Sequence, residues 1–248
     1  MSYEILKKHR RVWAEKKVLQ RIYADWYEMI MANMVSHGPA LEIGGGGGNF
    51  KEFFPDLISS DYTFCPWLDL SLDAHELPFR SNSLGNIVIL DVLHHLARPT
   101  IFIKEAQRVL KKNGRLIMLE PCISPLSFLI YNYLHQEDVD FSPDVYSDKM
   151  WCSEEQKKPF DGNMAIPTRM FIREPDRFEQ MFPQFNIIQT SYSDYFVYPL
   201  SGGFEHPGLI PLFSLPFLQF FEKLLKPLGP LLAFRLLIVL ENKKLGDG

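Results

Sequence analysis

The densest chemical signal in the chain is Leu41-Glu42-Ile43 followed by five consecutive glycines, Gly44 to Gly48, and then Asn49-Phe50. A short apolar run ends in a carboxylate, and a turn without side chains follows. Bare backbone lets a ligand lie against main-chain N–H groups. A helix starting at Asn49 would add unpaired donors and the positive end of its dipole. The stretch reads as a cradle for a nucleotide-type cofactor. The dinucleotide fingerprint G-x-G-x-x-G fails here, because its third glycine falls on Asn49 or Phe50, and the phosphate loop's closing Gly-Lys-Ser/Thr is missing. The frame that fits is acidic-x-G-x-G-x-G, made by Glu42, Gly44, Gly46 and Gly48 with Gly45 inside it. The plain alternative is a flexible glycine-rich loop.

Further carboxylates follow at the ends of apolar runs. Residues 57–61 read as a strand ending in Asp61, whose two oxygens can accept both hydroxyls of a ribose bound at the sheet edge. The alternative is an Asp that only begins a turn. Residues 68–72 alternate as a third strand and lead into Asp73-Ala74-His75-Glu76-Leu77-Pro78-Phe79. The nearly all-apolar residues 86–90 suit a buried parallel strand and run into Asp91-Val92-Leu93-His94-His95-Leu96. A histidine here is a candidate base for a hydroxyl acceptor, and His94 and His95 are the candidates. Beside Leu93 and Leu96 either one could instead be structural, and His135 and His206 are weaker candidates.

The glycine frame, Asp61, the Asp-Ala-x-x-Leu-Pro-Phe segment and the run Arg108-Val-Leu-Lys-Lys-Asn-Gly-Arg-Leu116 together resemble the class I S-adenosylmethionine-dependent methyltransferases of small-molecule type, over about residues 37–121. The resemblance implies S-adenosyl-L-methionine as cofactor, with Glu42, Gly44, Gly45, Gly46 and Gly48 around it. It also implies Asp73 accepting from the adenine amino group, Ala74 N–H meeting a ring nitrogen, and Leu90 and Asp91 at the fourth strand's end. Asp91 would fix the methionine amino group or cap a helix. The loop 91–96 would face the transferred methyl. One departure stands out: between Asp61 and Asp73 there is no room for the usual helix. Cys65, Pro66 and Trp67 are expected to replace it, with Trp67 against the base; the alternative is that Trp67 plugs the sheet edge.

The elements that must position these groups follow from periodicity. Apolar residues at steps of three and four predict one amphipathic helix over about 12–36, ended by Gly38-Pro39. Pro99 starts a helix whose apolar face holds Phe102, Ala106, Val109 and Leu110, and residues 115–120 form the fifth strand. Residues 185–190 and 236–240 complete an α/β fold: a doubly wound, seven-stranded, mostly parallel sheet with the last strand antiparallel and helical lid insertions. The expected organisation is an N-terminal helical cap (1–36), the cofactor-binding core (37–121), a substrate or lid insertion (122–184), and C-terminal strands (185–248). Within the last, residues 198–230 form an apolar helical insertion, read as core under the lid, with contact to a lipid-linked substrate or membrane surface as the alternative.

The totals bound the rest. At 46% hydrophobic and 14% aromatic the chain can bury a sizeable core and is not disordered. A net charge of −4 argues against nucleic acid as the main partner. The first 21 residues hold seven basic side chains against Glu4 and Glu15, read as a solvated helix face. Cys65, Cys122 and Cys152 make no metal-ligand pattern, so no metal and a reducing cytoplasm are expected; no export signal or spanning segment is seen. The expected partner is a small-molecule or glycan- or lipid-linked acceptor, with at most peripheral membrane contact. Two rival readings are a methyltransferase-like protein that binds cofactor without turnover and an NAD-dependent oxidoreductase.

Overall fold

Strands buried on both faces carry continuous apolar runs, and three such runs make the centre of the sheet. In β4 (Leu84–Leu90), β5 (Leu110–Pro121) and β7 (Arg235–Asn242) alternate residues face opposite layers. Ile87, Ile89, Leu116, Met118, Leu236 and Ile238 join one core cluster; Val88, Ile117, Leu119, Leu237 and Val239 join the other. The computed structural model describes residues 2–134, 137–147, 149–151 and 161–243. With β1 (Ala40–Ile43), β2 (Ile58–Asp61), β3 (Leu70–Ser71) and β6 (Phe185–Ser193), the sheet order is β3-β2-β1-β4-β5-β7-β6. All pairings are parallel except those of β7, which runs antiparallel between β5 and β6.

One face is covered by α3 (Pro99–Val109), through Phe102, Ile103 and Ala106, and by Phe178 of α6 (Pro175–Met181). The other is covered by α2 (Lys17–Met31), through Leu19, Ile22, Trp26 and Ile30. The N-terminal segment is two helices rather than one. α1 (Ser2–Glu15) stops where Gln20 Nε2 donates to the Trp13 carbonyl and Lys16 Nζ turns away to the carbonyls of Gly203 and His206. α2 packs on the sheet, whereas α1 sends Leu6 and His9 to the cleft at the sheet's edge. A side-chain interaction thus divides a pattern that reads as continuous.

Between β5 and β6 lie α4 (Pro125–Leu134), α5 (Ala165–Thr168) and the wide turn Arg169–Arg173. Between β6 and β7 lie α7 (Val197–Ser201), α8 (Leu215–Leu224) and α9 (Gly229–Leu232). The expectation that residues 198–230 are core is corrected in part: Leu215 is buried and Tyr198, Phe204, Ile210 and Leu218 pack against the core, but Phe213, Phe217, Phe220 and Leu224 are exposed. No helix among the described residues is long and apolar enough to cross a membrane. His135 and Cys152 lie outside the described residues.

Candidate functional site

Strand order reverses between β1 and β4, and the parallel strands all end on one edge there, which is where open α/β sheets leave a crevice. That crevice is a cleft of about 690 Å³. The loops after β1, β2, β3 and β4 each deliver part of its lining, so residues far apart in sequence meet.

The glycine loop follows the frame read from sequence. Gly44, Gly46 and Gly48 have φ of 75°, 48° and 74°, the left-handed region that a Cβ disfavours, while Gly45 and Gly47 do not. Gly45 N donates to Ser60 O and Gly48 N to Gly45 O, both at 2.8 Å, which winds the turn. Gly44 to Gly47 and Asn49 line the cleft; Gly48 is not among the lining residues and shapes the turn behind them. Asp61 closes the loop from β2, Oδ2 accepting from Gly46 N at 3.1 Å and Oδ1 from Thr63 N at 2.8 Å. Burial raises the Asp61 carboxyl above its ordinary range, and these N–H bonds partly offset the rise.

Glu42 is 5% exposed, lines the cleft, and its Oε2 has no hydrogen-bond partner among the described residues. Burial, reinforced by the charge of Asp61, pushes it up to about 8. Asp73 and Ala74 line the same cleft. Burial opposes charge on Asp73, but bonds from His75 N (2.8 Å) and His75 Nδ1 (2.7 Å) outweigh it and hold the carboxyl below its usual range. Leu90 and Asp91 line the cleft from β4.

Trp67 departs from expectation. It is not among the cleft-lining residues; its Nε1 donates to Gly46 O at 2.8 Å from outside the loop. Tyr3 stacks on it at 5.6 Å and the Arg10 guanidinium lies 4.7 Å from its ring centre, while Arg10 Nη1 donates to Gly47 O at 3.0 Å. Trp67 therefore braces the loop, and Tyr62, Thr63 and Leu72 form the wall assigned to it. Trp67→Phe, which loses only the bond to Gly46 O, is expected to change S-adenosylhomocysteine affinity less than about fivefold by calorimetry; a larger loss would put the indole at the ligand.

The two histidines separate. His94 is 2% exposed, with Nδ1 at 2.7 Å from Glu120 Oε2 and Nε2 at 3.3 Å from Glu137 Oε2. Burial opposes its charge, but the bonds to both carboxylates raise it to about 10, so His94 is an imidazolium clamp and not a free base. His95 lines the cleft, and burial followed by the charge of His94 lowers it to about 4. It is a neutral imidazole able to accept a hydrogen bond. His94, His95 and Glu137 are metal-ligand types within 4.8 Å of one another, but an imidazolium held by two carboxylates has no lone pair for a cation.

Two partners of the site escape sequence reading. Glu120, fully buried at the end of β5, accepts from Val92 N at 2.9 Å and Leu93 N at 2.8 Å as well as from His94, and so fixes the loop after β4. Arg235, 3% exposed at the start of β7, pairs with Asp91, itself at φ 57°, and lies over the neighbouring rings of Trp26 and Tyr198, 4.8 and 4.6 Å from their centres. Each is a charged residue at the end of an apolar strand run, the one signal that could have marked it. The far side of the cleft is built by Leu6 and His9 of α1, by Glu137 and Met150, and by Tyr198, Phe204 and Glu205; His206 is not among the lining residues.

Residues 41–118 match the family model described as a methyltransferase domain. A ubiquinone/menaquinone biosynthesis C-methyltransferase UbiE from Rhizobium rhizogenes is 32% identical over 91 residues, 36% of this chain. The chain spans 33% of that relative's length. Among solved structures, a SAM-dependent methyltransferase from Archaeoglobus fulgidus superposes with a TM-score of 0.55 at 15% identity, over 90% of this chain and 94% of that one. A possible histamine N-methyltransferase from Thermotoga maritima superposes with a TM-score of 0.54 at 15% identity, over 98% of both. At these identities the superpositions show a shared fold.

Proposed function

We propose that this chain, whose residues 41–118 match a methyltransferase domain, is a class I S-adenosylmethionine-dependent methyltransferase that binds S-adenosyl-L-methionine in the cleft and transfers its methyl group to a small-molecule or glycan- or lipid-linked acceptor. The supporting observation is that Glu42, Gly44 to Gly46, Asp61 and Asp73, from the carboxyl ends of β1, β2 and β3 and the turns after them, converge on one cleft. The cofactor, when bound, supplies an electrophilic methyl on a sulfonium; the chain must orient it and the acceptor in line.

The residues present fit such a group. Glu42 is a buried carboxyl whose Oε2 has no hydrogen-bond partner among the described residues, suited to a cation, whereas Asp91 already faces Arg235. We therefore assign the cationic methionine end to Glu42, the ribose hydroxyls to Asp61, and the adenine edge to Asp73 and Ala74. His95 is assigned to accept a hydrogen bond from the acceptor, while Glu120 and His94 hold the loop that presents it. Residues 122–184 and the 198–230 insertion are assigned to the acceptor side, because Glu137, Met150, Tyr198 and Phe204 line it. The name of the UbiE relative brings a quinone precursor forward as one small-molecule acceptor. A cytoplasmic setting suits the buried free thiols of Cys65 and Cys122.

Calorimetry with S-adenosylhomocysteine is expected to show binding that Asp61→Ala weakens about 30- to 100-fold, since a charged hydrogen-bonding partner is lost. Release of S-adenosylhomocysteine from S-adenosylmethionine in the presence of cell extract should accompany it. Binding without release would favour the non-catalytic reading, for which one observation speaks: neither histidine of the His94-His95 pair is poised as a base. Thermal stabilisation by NAD but not by S-adenosylhomocysteine would overturn both in favour of the oxidoreductase.

A further inference from the structure

The helix α8 is turned inside out. Its inward stripe holds Leu215 and Leu218 but also Gln219 and Glu222: Gln219 Nε2 donates to Asp25, and Glu222 Oε1 accepts the N–H groups of Tyr195, Phe196 and Val197, each at 2.8 Å. Its outward stripe is Phe217, Phe220, Phe221 and Leu224, all exposed. An ordinary surface helix does the reverse. The run of exposed apolar side chains continues in the sequence through Leu209, 75% exposed, and Phe213, 86% exposed, before the helix and through Leu228 and Leu231 after it. Across α9 it meets α4, which has no charged residue and exposes Phe128, Leu129 and Tyr133. Soluble monomers rarely show contiguous apolar surface on this scale.

The charges on this face have one sign. Residues 207–234 contain only three charged side chains, Glu222, Lys223 and Lys226. Glu222 is consumed inward, so Lys223 and Lys226, both exposed, are what the face shows. Protruding aromatic rings with lysines beside them match an anionic bilayer, whose interior takes the rings and whose headgroups take the ammonium groups. A second copy of the chain fits less well, because a two-fold contact would set this face against itself, and among the described residues Lys223 and Lys226 would then meet no outward-facing acidic side chain of residues 207–234.

We propose that the α4, α8 and α9 face docks this protein onto an anionic membrane surface as a peripheral, non-spanning contact. The proposal is independent of the methyl-transfer reading, since it requires no cofactor. Flotation of the full chain with phosphatidylcholine vesicles, with and without phosphatidylglycerol, tests it. The protein is expected to float with the anionic vesicles and to remain largely in solution with the neutral ones. The triple variant F213S/F217S/F220S, altered only at outward positions and therefore expected to keep the wild-type melting temperature, should lose binding by about 100-fold or more. K223E/K226E should lose about 25-fold on anionic vesicles, at roughly fivefold per basic group removed. Absence of binding to both vesicle types, or equal binding to both, would overturn the proposal. So would a stable dimer by light scattering that the serine variant converts to monomer, which would assign the face to a second copy.

Discussion

Replacing Gly44 by valine is expected to abolish S-adenosylhomocysteine binding and to lower the melting temperature by about 10 °C. The residue sits at φ 75°, where a β-branched side chain is strained, and a Cβ there would overlap Val92 Cγ2. Val92 cannot withdraw, because its N–H is held by the buried carboxylate of Glu120. Backbone strain of about 1–2 kcal/mol and overpacking of about 1–3 kcal/mol add in the same place, and for a chain of this size each kcal/mol is worth roughly 2–4 °C. Gly47→Ala is the control: its φ is not positive, and the added Cβ meets only the Asn49 side-chain amide, at 2.9 Å. That amide can rotate away, so the loss should stay under about 1 kcal/mol. Equal damage from both variants, by calorimetry and thermal melting, would contradict a loop whose alternate glycines do different work.

Glu42→Gln is expected to separate stability from binding. The native carboxyl is held up at about 8 by burial and by Asp61, against an ordinary 4.5. Between those values the native state keeps a proton that the unfolded chain releases. Stability from this group is therefore largest at low pH, falls as pH rises from about 4.5, and levels off above 8. Glutamine removes that fall. The variant should match wild type near pH 5 and exceed it by about 2–4 kcal/mol above pH 8, since each tenfold change in proton affinity is worth about 1.36 kcal/mol and a buried amide has its own cost. Its affinity for a cationic ligand should fall by at least about tenfold and lose its rise with pH, since a neutral amide offers no charge. Parallel melting profiles from pH 5 to 9 would show that Glu42 is not the strained carboxylate described.

Much of the fold was legible because this sheet is buried on both faces and writes its strands as apolar runs. The alternate glycines were legible because only that frame puts a glycine at each left-handed position. What escaped was decided between distant parts of the chain. Glu120 and Arg235 are single charges at strand ends, and their partners, His94 and Asp91, lie across the sheet. The sequence puts Trp67 near the ligand because length alone does not say on which side of a short turn an indole falls. Residues 198–230 read as core because helical periodicity identifies an apolar stripe without saying whether protein covers it. The single N-terminal helix became two because Lys16 and Gln20 satisfy carbonyls that the pattern leaves out of account.

The antiparallel strand β7 lies between β5 and β6 although it follows both in the sequence. On the ribosome, β6 has no neighbour to pair with until residues 235–242 have left the exit tunnel, so the nascent chain waits with two unpaired strand edges. Arg235, the partner of Asp91, arrives with that same strand. A stalled or prematurely terminated product therefore lacks both the sheet's closure and the cation that balances the cleft, and quality control meets an open edge where the mature protein has a finished site.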